Sequence, residues 1–305
     1  MTGPDARLAI TAPCDTRPMD ISIVGAGRAG TALAVLWRLA GHRIVAVSGR
    51  DATVERAARH LPGVAVLDAP EAARDAELVV VGVPDDLIAP TVRALTDAGA
   101  FGDGRWVAHM SGATPLSALD AARELGGRRL GLHPLQTFPD VEAALDRLPG
   151  SAVAIGADDE EGFFVAERLA EDLGGRPFRL ADEHRALYHA AAVFASNYLV
   201  AATWVAEELL AIAGVPDPTA ALAPLQQATL ANVAVTGPSE ALTGPAVRGD
   251  AGTIEQHLIA LAAAVPWAVG PYAEMARAAL DMSVRAGRLS EAGRARVDEV
   301  LARWT

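Results

Sequence analysis

The sequence contains no lysine, and every one of its 26 basic residues is arginine. This absence excludes a Schiff base, a phosphate-loop lysine and a lysine general acid, so proton transfer must come from His, Tyr, Asp, Glu or water. Cysteine is nearly absent as well. The single Cys14 excludes an internal disulfide and a thiolate metal centre, and no metal site is expected. One free thiol in 305 residues fits a reducing cytoplasm.

Long hydrophobic runs and basic clusters are also missing. Half of the residues are apolar, yet no uninterrupted run is long enough to cross a membrane. A net charge of −12 without a basic cluster argues against a nucleic-acid partner. Residues 1–18 lack the core and positive leader of a signal peptide and predict a loose tail, and Met19 is a second candidate for the translation start. We expect a soluble, cytoplasmic protein with no membrane or nucleic-acid partner.

What the sequence does contain is a glycine-rich turn after its first apolar run. Residues 21–30 read Ile-Ser-Ile-Val-Gly-Ala-Gly-Arg-Ala-Gly, the pattern of a strand that turns into a helix. Gly25 permits the tight turn, Gly27 lets the backbone approach a pyrophosphate, and Gly30 lets the helix pack closely on the strand. The helix that starts at Arg28 and Ala29 offers free N–H groups to the phosphates. The turn therefore predicts a dinucleotide site.

The residues after the second strand indicate which dinucleotide. An NAD site usually has Asp or Glu there, whereas this chain has Ser48 and Arg50. A guanidinium can pair with the 2′-phosphate, so Arg50 favours NADP(H), with the Ser48 hydroxyl as a donor and Arg56 as a helper. The alternative is an ordinary surface arginine at position 50. We interpret Asp51 as the N-cap of a helix over 52–60 rather than as a ribose ligand.

From residue 21 onward, strands and helices alternate as in a doubly wound sheet, and after about residue 181 the pattern becomes wholly helical. We predict an α/β Rossmann domain over residues 19–181 followed by an all-helical domain over 182–305. Asp182 is predicted to cap one helix that runs through Leu210. The predicted strands are 21–24, 44–47, 64–67, 78–83, 106–109, 129–132 and 152–155, and the predicted helices between them are 31–39, 52–60, 87–95, 115–125 and 160–173.

Candidate binding and catalytic residues follow the strands, because open α/β sheets bind ligands at the carboxyl ends of their strands. Val83 and Pro84 follow the fourth strand and are assigned to the cofactor. His109 and Ser111 follow the fifth strand, and His133 ends the sixth. Each has a structural alternative: the histidines as hydrogen-bonding groups and Ser111 as a helix cap. Asp85 and Asp86, after Pro84, are interpreted as helix caps.

The first helix of the second domain carries a polar stripe in an apolar run. The run over 188–200 is so apolar that we expect it to be largely buried, yet it contains His189, Ser196 and Asn197. In one continuous helix, His189 and Ser196 fall on nearly the same face. Buried polar groups need partners, which are either another helix or a substrate.

A glycine- and proline-punctuated loop over 241–250 holds the last polar cluster. Its Arg248 is suited to binding a carboxylate through two parallel hydrogen bonds, with Thr243 beside it. A salt bridge between Arg248 and Asp250 that merely fixes the loop is the alternative.

The motifs together resemble a known family. They are residues 25–30, His109-Met110-Ser111-Gly112, residues 133–138, the run from Tyr188 to Asn197, and the loop from Leu242 to Asp250. This combination looks like the family that pairs a Rossmann-like domain with a DUF2520 helical domain, within the group that is similar to 6-phosphogluconate dehydrogenase and pyrroline-5-carboxylate reductase. The resemblance implies a two-domain, NADP-dependent oxidoreductase that forms a homodimer through its helical domain.

The resemblance also implies a substrate class. Some members of the family act as alternative ketopantoate reductases in pantothenate synthesis, so a small 2-oxo acid carboxylate, ketopantoate first, is the expected substrate. The wider group uses a helix lysine near an asparagine, and Val193 occupies that position here. We therefore assign proton donation to His189 first and His133 second, and carbonyl orientation to Asn197. Ser111 is assigned to the same catalytic group, as one candidate for holding the carboxylate. The residues assigned to substrate binding are Ser196, His109, Arg248 and Thr243.

Two other functions remain open. One is an imine reductase or a prephenate-dehydrogenase-like enzyme on the same scaffold. The other is a non-catalytic NADPH-binding sensor, in which the polar stripe is structural. Turnover separates the sensor from the enzymes.

Overall fold

The structure is a computed structural model that describes residues 17–304. The predicted tail over 1–18 and Cys14 therefore lie almost wholly outside the described residues. The chain divides into two compact units, Met1–Val193 and Phe194–Thr305. The sequence analysis places the boundary twelve residues earlier, after residue 181.

The first unit contains eight strands in the described part of the chain. They are β1 (Asp20–Val24), β2 (Arg43–Ser48), β3 (Ala65–Val66), β4 (Leu78–Val81), β5 (Trp106–His109), β6 (Arg128–Pro134), β7 (Ala152–Ala157) and β8 (Arg176–Arg179).

Helices alternate with these strands. They are α1 (Arg28–Leu39), α2 (Asp51–His60), α3 (Ala69–Arg74), α4 (Asp85–Asp97), α5 (Asp120–Arg123), α6 (Val141–Arg147), α7 (Glu160–Asp172) and α8 (Arg185–Ala195), with short 3₁₀ turns at Leu116–Leu119 and Asp182–His184.

The strands form one sheet in the order β3-β2-β1-β4-β5-β6-β7-β8. All neighbouring strands are parallel except β6 and β7, which pair antiparallel. The crossover from β3 to β4 next to β1 is the switch point at which such sheets bind ligands. Strands buried on both faces are expected to be continuously apolar, and Leu78–Val81 has no exposed residue.

Each face of the sheet has its own apolar core. Ile21, Val80 and Leu132 pack on one face with Trp37 of α1, whose indole N–H donates to the Leu169 carbonyl at 2.9 Å. The opposite face is covered by α4 and the 3₁₀ turn of Leu116–Leu119. The first unit is thus a three-layer α/β domain, as the sequence pattern predicts.

The second unit is helical throughout its described residues. It contains the end of α8, then α9 (Asn197–Ile212), α10 (Pro218–Thr236), α11 (Pro238–Ala241), α12 (Pro245–Arg248), α13 (Ala251–Ala264), α14 (Val269–Arg285) and α15 (Glu291–Leu301). Its core is centred on α13, α14 and α15. No helix among residues 17–304 combines the length and the hydropathy that a membrane span requires.

Several elements differ from the sequence predictions. The short helices α3 and α6 and the edge strand β8 were not predicted, because α3 and α6 are six and seven residues long and β8 begins with Arg and Pro. The predicted helix over 115–125 is a 3₁₀ turn followed by α5.

The predicted helix from Asp182 through Leu210 is wrong, because it is interrupted at Ser196. Ser196 has φ −123° and ψ −67°, so α8 ends at Ala195 and α9 begins at Asn197. The face that His189 and Ser196 were predicted to share therefore does not exist. Asp182 is not an N-cap either. One of its carboxylate oxygens accepts from the Leu116 N–H at 2.9 Å, and the other accepts from Arg185.

The expected burial of the run over 188–200 is also wrong. Phe194 is 64% exposed, Tyr198 53% and Val200 69%. Hydropathy measures the preference of a segment for an apolar environment and does not say which surface supplies it. These three apolar side chains are therefore exposed on the second unit.

Candidate active site

The glycine turn between β1 and α1 has the predicted form. Gly25 has φ +87°, which favours glycine, and a Cβ there would lie 2.7 Å from the Val83 side chain. The Gly25 and Ala26 N–H groups both donate to the Ser48 carbonyl, at 3.0 and 2.8 Å. By contrast, a Cβ on Gly27 would meet no atom within 4 Å. The turn is therefore held by hydrogen bonds to Ser48 and by packing against Val83, and the space at the Cβ position of Gly27 is open.

The start of α1 is suited to an anion. Gly27 is its N-cap, so no side chain caps the helix, and its first turn contains no acidic residue. Gly30 sits over β1, where a Cβ would lie 3.0 Å from Ile23. The Arg28 side chain extends away to the Pro139 carbonyl at 2.8 Å, and Ala29 is half-buried within the first turn.

The region after β2 contains the predicted phosphate residues. Arg50 is exposed and is itself the N-cap of α2, so the prediction that Asp51 caps this helix is wrong by one residue. Asp51 lies in the first turn, where its charge favours the helix dipole. Ser48 is buried, and Arg56 donates to the Ala26 carbonyl at 3.0 Å. Of Arg50 and Arg56, Arg50 is thus the one whose side chain is exposed.

Val83 and Pro84 lie between β4 and α4, beside Gly25. Pro84 is the N-cap of α4 and has no side-chain hydrogen bond, so the interpretation of Asp85 and Asp86 as caps is wrong. Both carboxylates occupy the first turn of α4 instead, where the helix dipole favours them.

His109 ends β5 and is fully buried. Its Nδ1 accepts from the Ser111 N–H at 3.2 Å, so the neutral ring carries its proton on Nε2, and this Nε2 has no partner. The Ser111 hydroxyl oxygen accepts from the Ala113 and Thr114 N–H groups at 3.2 and 3.0 Å. Ser111 thus holds the turn after β5, whereas Pro115 is the N-cap of the following 3₁₀ turn, so the alternative of Ser111 as a helix cap is wrong.

His133 lies near the end of β6 within a small aromatic cluster. Its Nδ1 is 2.8 Å from the Tyr188 hydroxyl, and its ring is perpendicular to that of Tyr188. The His189 ring lies 6.5 Å from the His133 ring, centroid to centroid. A Cβ on Gly112 would lie 2.9 Å from the His133 ring, so the loop after β5 packs directly against it. The two predicted proton donors are therefore neighbours.

The electrostatics of this cluster favour neutral imidazoles. Burial, reinforced by Arg185, lowers the pKa of His109 to about 3. Burial and the neighbouring His189 lower the pKa of His133 to about 4, against the opposing effect of Asp85. Burial raises the pKa of Tyr188 to about 12. At neutral pH, Tyr188 keeps its proton, and its hydroxyl can donate a hydrogen bond to the unprotonated Nδ1 of His133.

One side chain connects this cluster to the glycine turn. Met110, between His109 and Ser111, places its Cε 3.0 Å from the Cβ position of Gly82 and 3.8 Å from that of Gly30. The loop with the candidate catalytic residues therefore contacts the candidate cofactor turn at the carboxyl edge of the sheet.

Four predicted residues lie in the second unit. Ser196 is half-buried at the helix interruption, Asn197 is exposed at the start of α9, and Thr243 is exposed before α12. Arg248 is exposed, with one guanidinium nitrogen 3.9 Å from Asp250, which caps α13 through Thr253. The roles of these four residues stay predictions.

Sequence reasoning missed two residues of the cluster. Tyr188 is adjacent to His189 and was quoted only as part of the apolar run. Arg185 is buried and pairs with Asp182 through a 2.6 Å contact at Nε. A signal for Arg185 was present: Gly131 and Gly156 lie in strand interiors, where glycine often marks the close approach of another group.

Fold and turn together define a dinucleotide-fold protein with an appended helical domain. Two family models match it: residues 1–134 match the Rossmann-like domain, and residues 151–279 match a domain of unknown function, DUF2520. The chain belongs to the proteins that combine these two domains, as the resemblance of its motifs predicts, and the predicted fold class is confirmed.

Solved structures share this architecture. A Bacteroides fragilis protein assigned as an NADP oxidoreductase is 25% identical, covers 87% of this chain and 98% of its own, and superposes with a TM-score of 0.72. An imine reductase from Myxococcus stipitatus, solved with NADP⁺, is 20% identical, covers 88% of this chain and 95% of its own, and has a TM-score of 0.63. At this identity, the imine reductase shows the fold alone.

Among curated proteins, an NAD(P)⁺ glycerol-3-phosphate dehydrogenase from Rhizobium etli is 30% identical over 180 residues. The alignment covers 52% of each protein. The chain thus spans about half the length of the curated relatives it matches.

The low pKa of the strand-end histidines predicts a pH-dependent stability. Both histidines titrate near 6.5 in an unfolded chain, whereas the pKa values in the folded protein are about 3 for His109 and about 4 for His133. Between pH 6.5 and 4 these histidines are protonated in the unfolded chain but largely unprotonated in the folded chain. Their contribution to the free energy of unfolding is therefore fully present above about pH 6.5 and decreases as pH falls. From pH 7 to pH 5, we predict that the free energy of unfolding decreases by about 1–2 kcal/mol less in His133→Asn than in wild type.

Urea denaturation at the two pH values measures this difference. His184→Asn, at an exposed position, is the control for removal of an imidazole. If wild type and His133→Asn lose the same free energy of unfolding between the two pH values, the assignment to His133 is wrong.

Proposed function

We propose that the protein is an NADP(H)-dependent oxidoreductase that reduces a small 2-oxo acid, with ketopantoate as the preferred substrate and pantothenate synthesis as its context. The observation that carries the proposal is the position of Met110, whose Cε lies 3.8 Å from the place of a Cβ on Gly30. Met110 belongs to the loop that follows His109 and packs against His133 through Gly112. It brings a dinucleotide turn and a group of proton-bearing side chains to one edge of one sheet. The NADP oxidoreductase of Bacteroides fragilis, which is similar over most of this chain, supports the same class.

The residues fit the cofactor. The open space above Gly27 admits a pyrophosphate, the uncapped start of α1 offers its N–H groups, and Arg50 provides a charge for the 2′-phosphate. NADPH supplies a hydride when bound.

The chain's own contribution to the reaction is proton delivery and substrate orientation. The neutral His133 is a poor cationic acid at pH 7, since its pKa is about 4. It serves instead as the hydrogen-bond partner of Tyr188, whose hydroxyl keeps its proton. His189 remains the first candidate for direct proton donation to the carbonyl oxygen. Asn197 orients the carbonyl, and Arg248, with Thr243 and Ser196, binds the carboxylate.

Imine reduction is the second candidate, because the imine reductase of Myxococcus stipitatus shares the fold over 88% of this chain. A protein that binds NADPH without turnover is the third. We also propose the cytoplasm as the location, on the basis of the single cysteine.

The first test follows NADPH absorbance when ketopantoate is added to the purified protein. We expect NADPH oxidation that saturates with ketopantoate and is slower with other 2-oxo acids, because the site combines a carboxylate ligand with a proton source. Faster turnover of a cyclic imine would favour the second candidate. Tight NADPH binding without oxidation by any of these compounds would contradict the reductase assignment and favour the sensor.

The assignment of Arg50 predicts the cofactor preference. Arg50→Ala should weaken NADPH binding by about 10-fold or more and leave NADH binding unchanged, because the lost hydrogen bonds go to a charged phosphate. Fluorescence titration with both cofactors measures this effect. Arg59→Ala on the same helix α2 is the matched control. Equal losses for NADPH and NADH would exclude 2′-phosphate recognition by Arg50.

We further propose a homodimer formed through the helical domain. The exposed apolar side chains of α9 and α10 support it, since a contiguous apolar surface marks a protein interface. They include Tyr198, Leu199, Val200, Trp204, Leu225, Leu230 and Val235.

Light scattering should give twice the chain mass of 31.5 kDa. Val200→Asp should shift the population toward monomer, because a carboxylate would be buried unpaired in the interface. Leu39→Asp, at an exposed position of α1, is the control and should stay dimeric. A monomeric wild type at micromolar concentration would refute this proposal.

A further inference from the structure

Arg185, in the first turn of α8, is a buried arginine with one ion-pair partner among the described residues. It is 1% exposed, and its Nε lies 2.6 Å from Asp182 Oδ1. Neither Nη1 nor Nη2 has a hydrogen-bond partner. A buried charge with one partner is costly, so its retention calls for a role.

The sheet is shaped to accept this guanidinium. Gly131 of β6 and Gly156 of β7 are direct partners across the antiparallel pair. A Cβ on Gly131 would lie 2.6 Å from Arg185 Nη2, and a Cβ on Gly156 would overlap the same nitrogen. Any other residue at either position would displace the guanidinium, so the two glycines form a cradle for Arg185.

The same row of the sheet contains His109. His109 of β5 pairs with Gly131, so its side chain leaves the sheet on the face that carries Arg185. His133, two residues after Gly131, lies on that face as well. The guanidinium therefore lies on the same sheet face as both strand-end imidazoles.

Arg185 also fixes the segment that carries Tyr188 and His189. Its partner Asp182 accepts from the Leu116 N–H at 2.9 Å, where the loop after β5 enters its 3₁₀ turn. The ion pair thus joins the first turn of α8 to that loop. Because both free nitrogens are closed to solvent, Arg185 contacts no substrate in this arrangement and acts through its neighbours.

We propose that Arg185 is a positioning residue. It places a buried positive charge on the sheet face of His109 and His133, and its ion pair with Asp182 holds the start of α8, with Tyr188 and His189, beside His133. The reductive use of the cluster rests on the proposed function, whereas the effect of Arg185 on the imidazoles does not.

The charged and titratable groups around the two imidazoles can be separated by substitution. Asp85 of α4 and His189 and Arg185 of α8 act on His133, which also contacts the Tyr188 hydroxyl. Arg185, Asp182 and His133 act on His109. Arg185 lowers the pKa of both imidazoles, whereas Asp85 raises that of His133. Removing Arg185 and removing Asp85 should therefore shift His133 in opposite directions.

The experiment is an NMR titration of the imidazole nitrogens in the full chain without cofactor. Arg185→Met should raise the titration midpoint of His133 above about 4, and Asp85→Asn should lower it. A purely structural disturbance would not give shifts of opposite sign. A His133 midpoint that is unchanged in folded Arg185→Met would overturn the proposal.

Gly156→Ala provides a second variant in case Arg185→Met fails to fold. It retains the charge but pushes the guanidinium from its cradle, so the His133 midpoint should rise by less than in Arg185→Met. A midpoint that is unchanged or lower would also overturn the proposal. Since the titration requires no turnover, failure of the reductase assay leaves this test intact.

Discussion

The candidate site depends on one constraint, which is the absence of a side chain at a few glycine positions in the sheet and in the loops that follow its strands. The Gly25 turn leaves no room for a Cβ against Val83, Gly112 leaves room for the His133 ring, and the pair Gly131 and Gly156 leaves room for a guanidinium. At each position a neighbouring group approaches the backbone where a Cβ would block it. The strands and helices around these glycines pack as in other α/β domains. The glycines determine where the polar side chains of the candidate site can approach the sheet.

Burial sets the protonation of the strand-end histidines, and the buried Arg185 reinforces it. His109 and His133 lie where two neighbouring parallel strands end, and the cost of charging a group there exceeds what the nearby carboxylates recover. Burial likewise favours the neutral form of the Tyr188 hydroxyl, which keeps its proton. These three groups can therefore form hydrogen bonds without adding a second charge beside the buried Arg185 guanidinium.

The sequence predicted the parts of the fold that depend on local pattern. The glycine turn, the strand Trp106–His109 and the change to an all-helical region follow from spacing and hydropathy, which are properties of short segments. The helix break at Ser196 did not, because a single serine in an apolar run is compatible both with a helix interior and with the N-cap of a new helix, and local pattern does not decide between them. Burial of Phe194 and Val200 was predicted wrongly for a related reason: hydropathy does not identify the surface against which a side chain packs.

The site residues divide in the same way. Residues in recognisable motifs, such as His133 and Ser111, could be named as candidates from the sequence, and the structure places their loops against each other. Their roles stay predictions. Arg185 was missed, since it becomes relevant only when two glycines of different strands are paired by the antiparallel register. Register is a tertiary property, and one sequence without its three-dimensional pairing does not reveal it.

The buried cation beside the histidines has a further consequence. A lysine in such a place readily gives up its proton to escape the cost of burial, whereas a guanidinium does not. In a chain without lysine, the positive field over this part of the sheet is therefore permanent, the same at every pH at which the protein stays folded. Any change of the cluster with acidity must then begin at a histidine or a carboxylate, against a background that does not itself titrate.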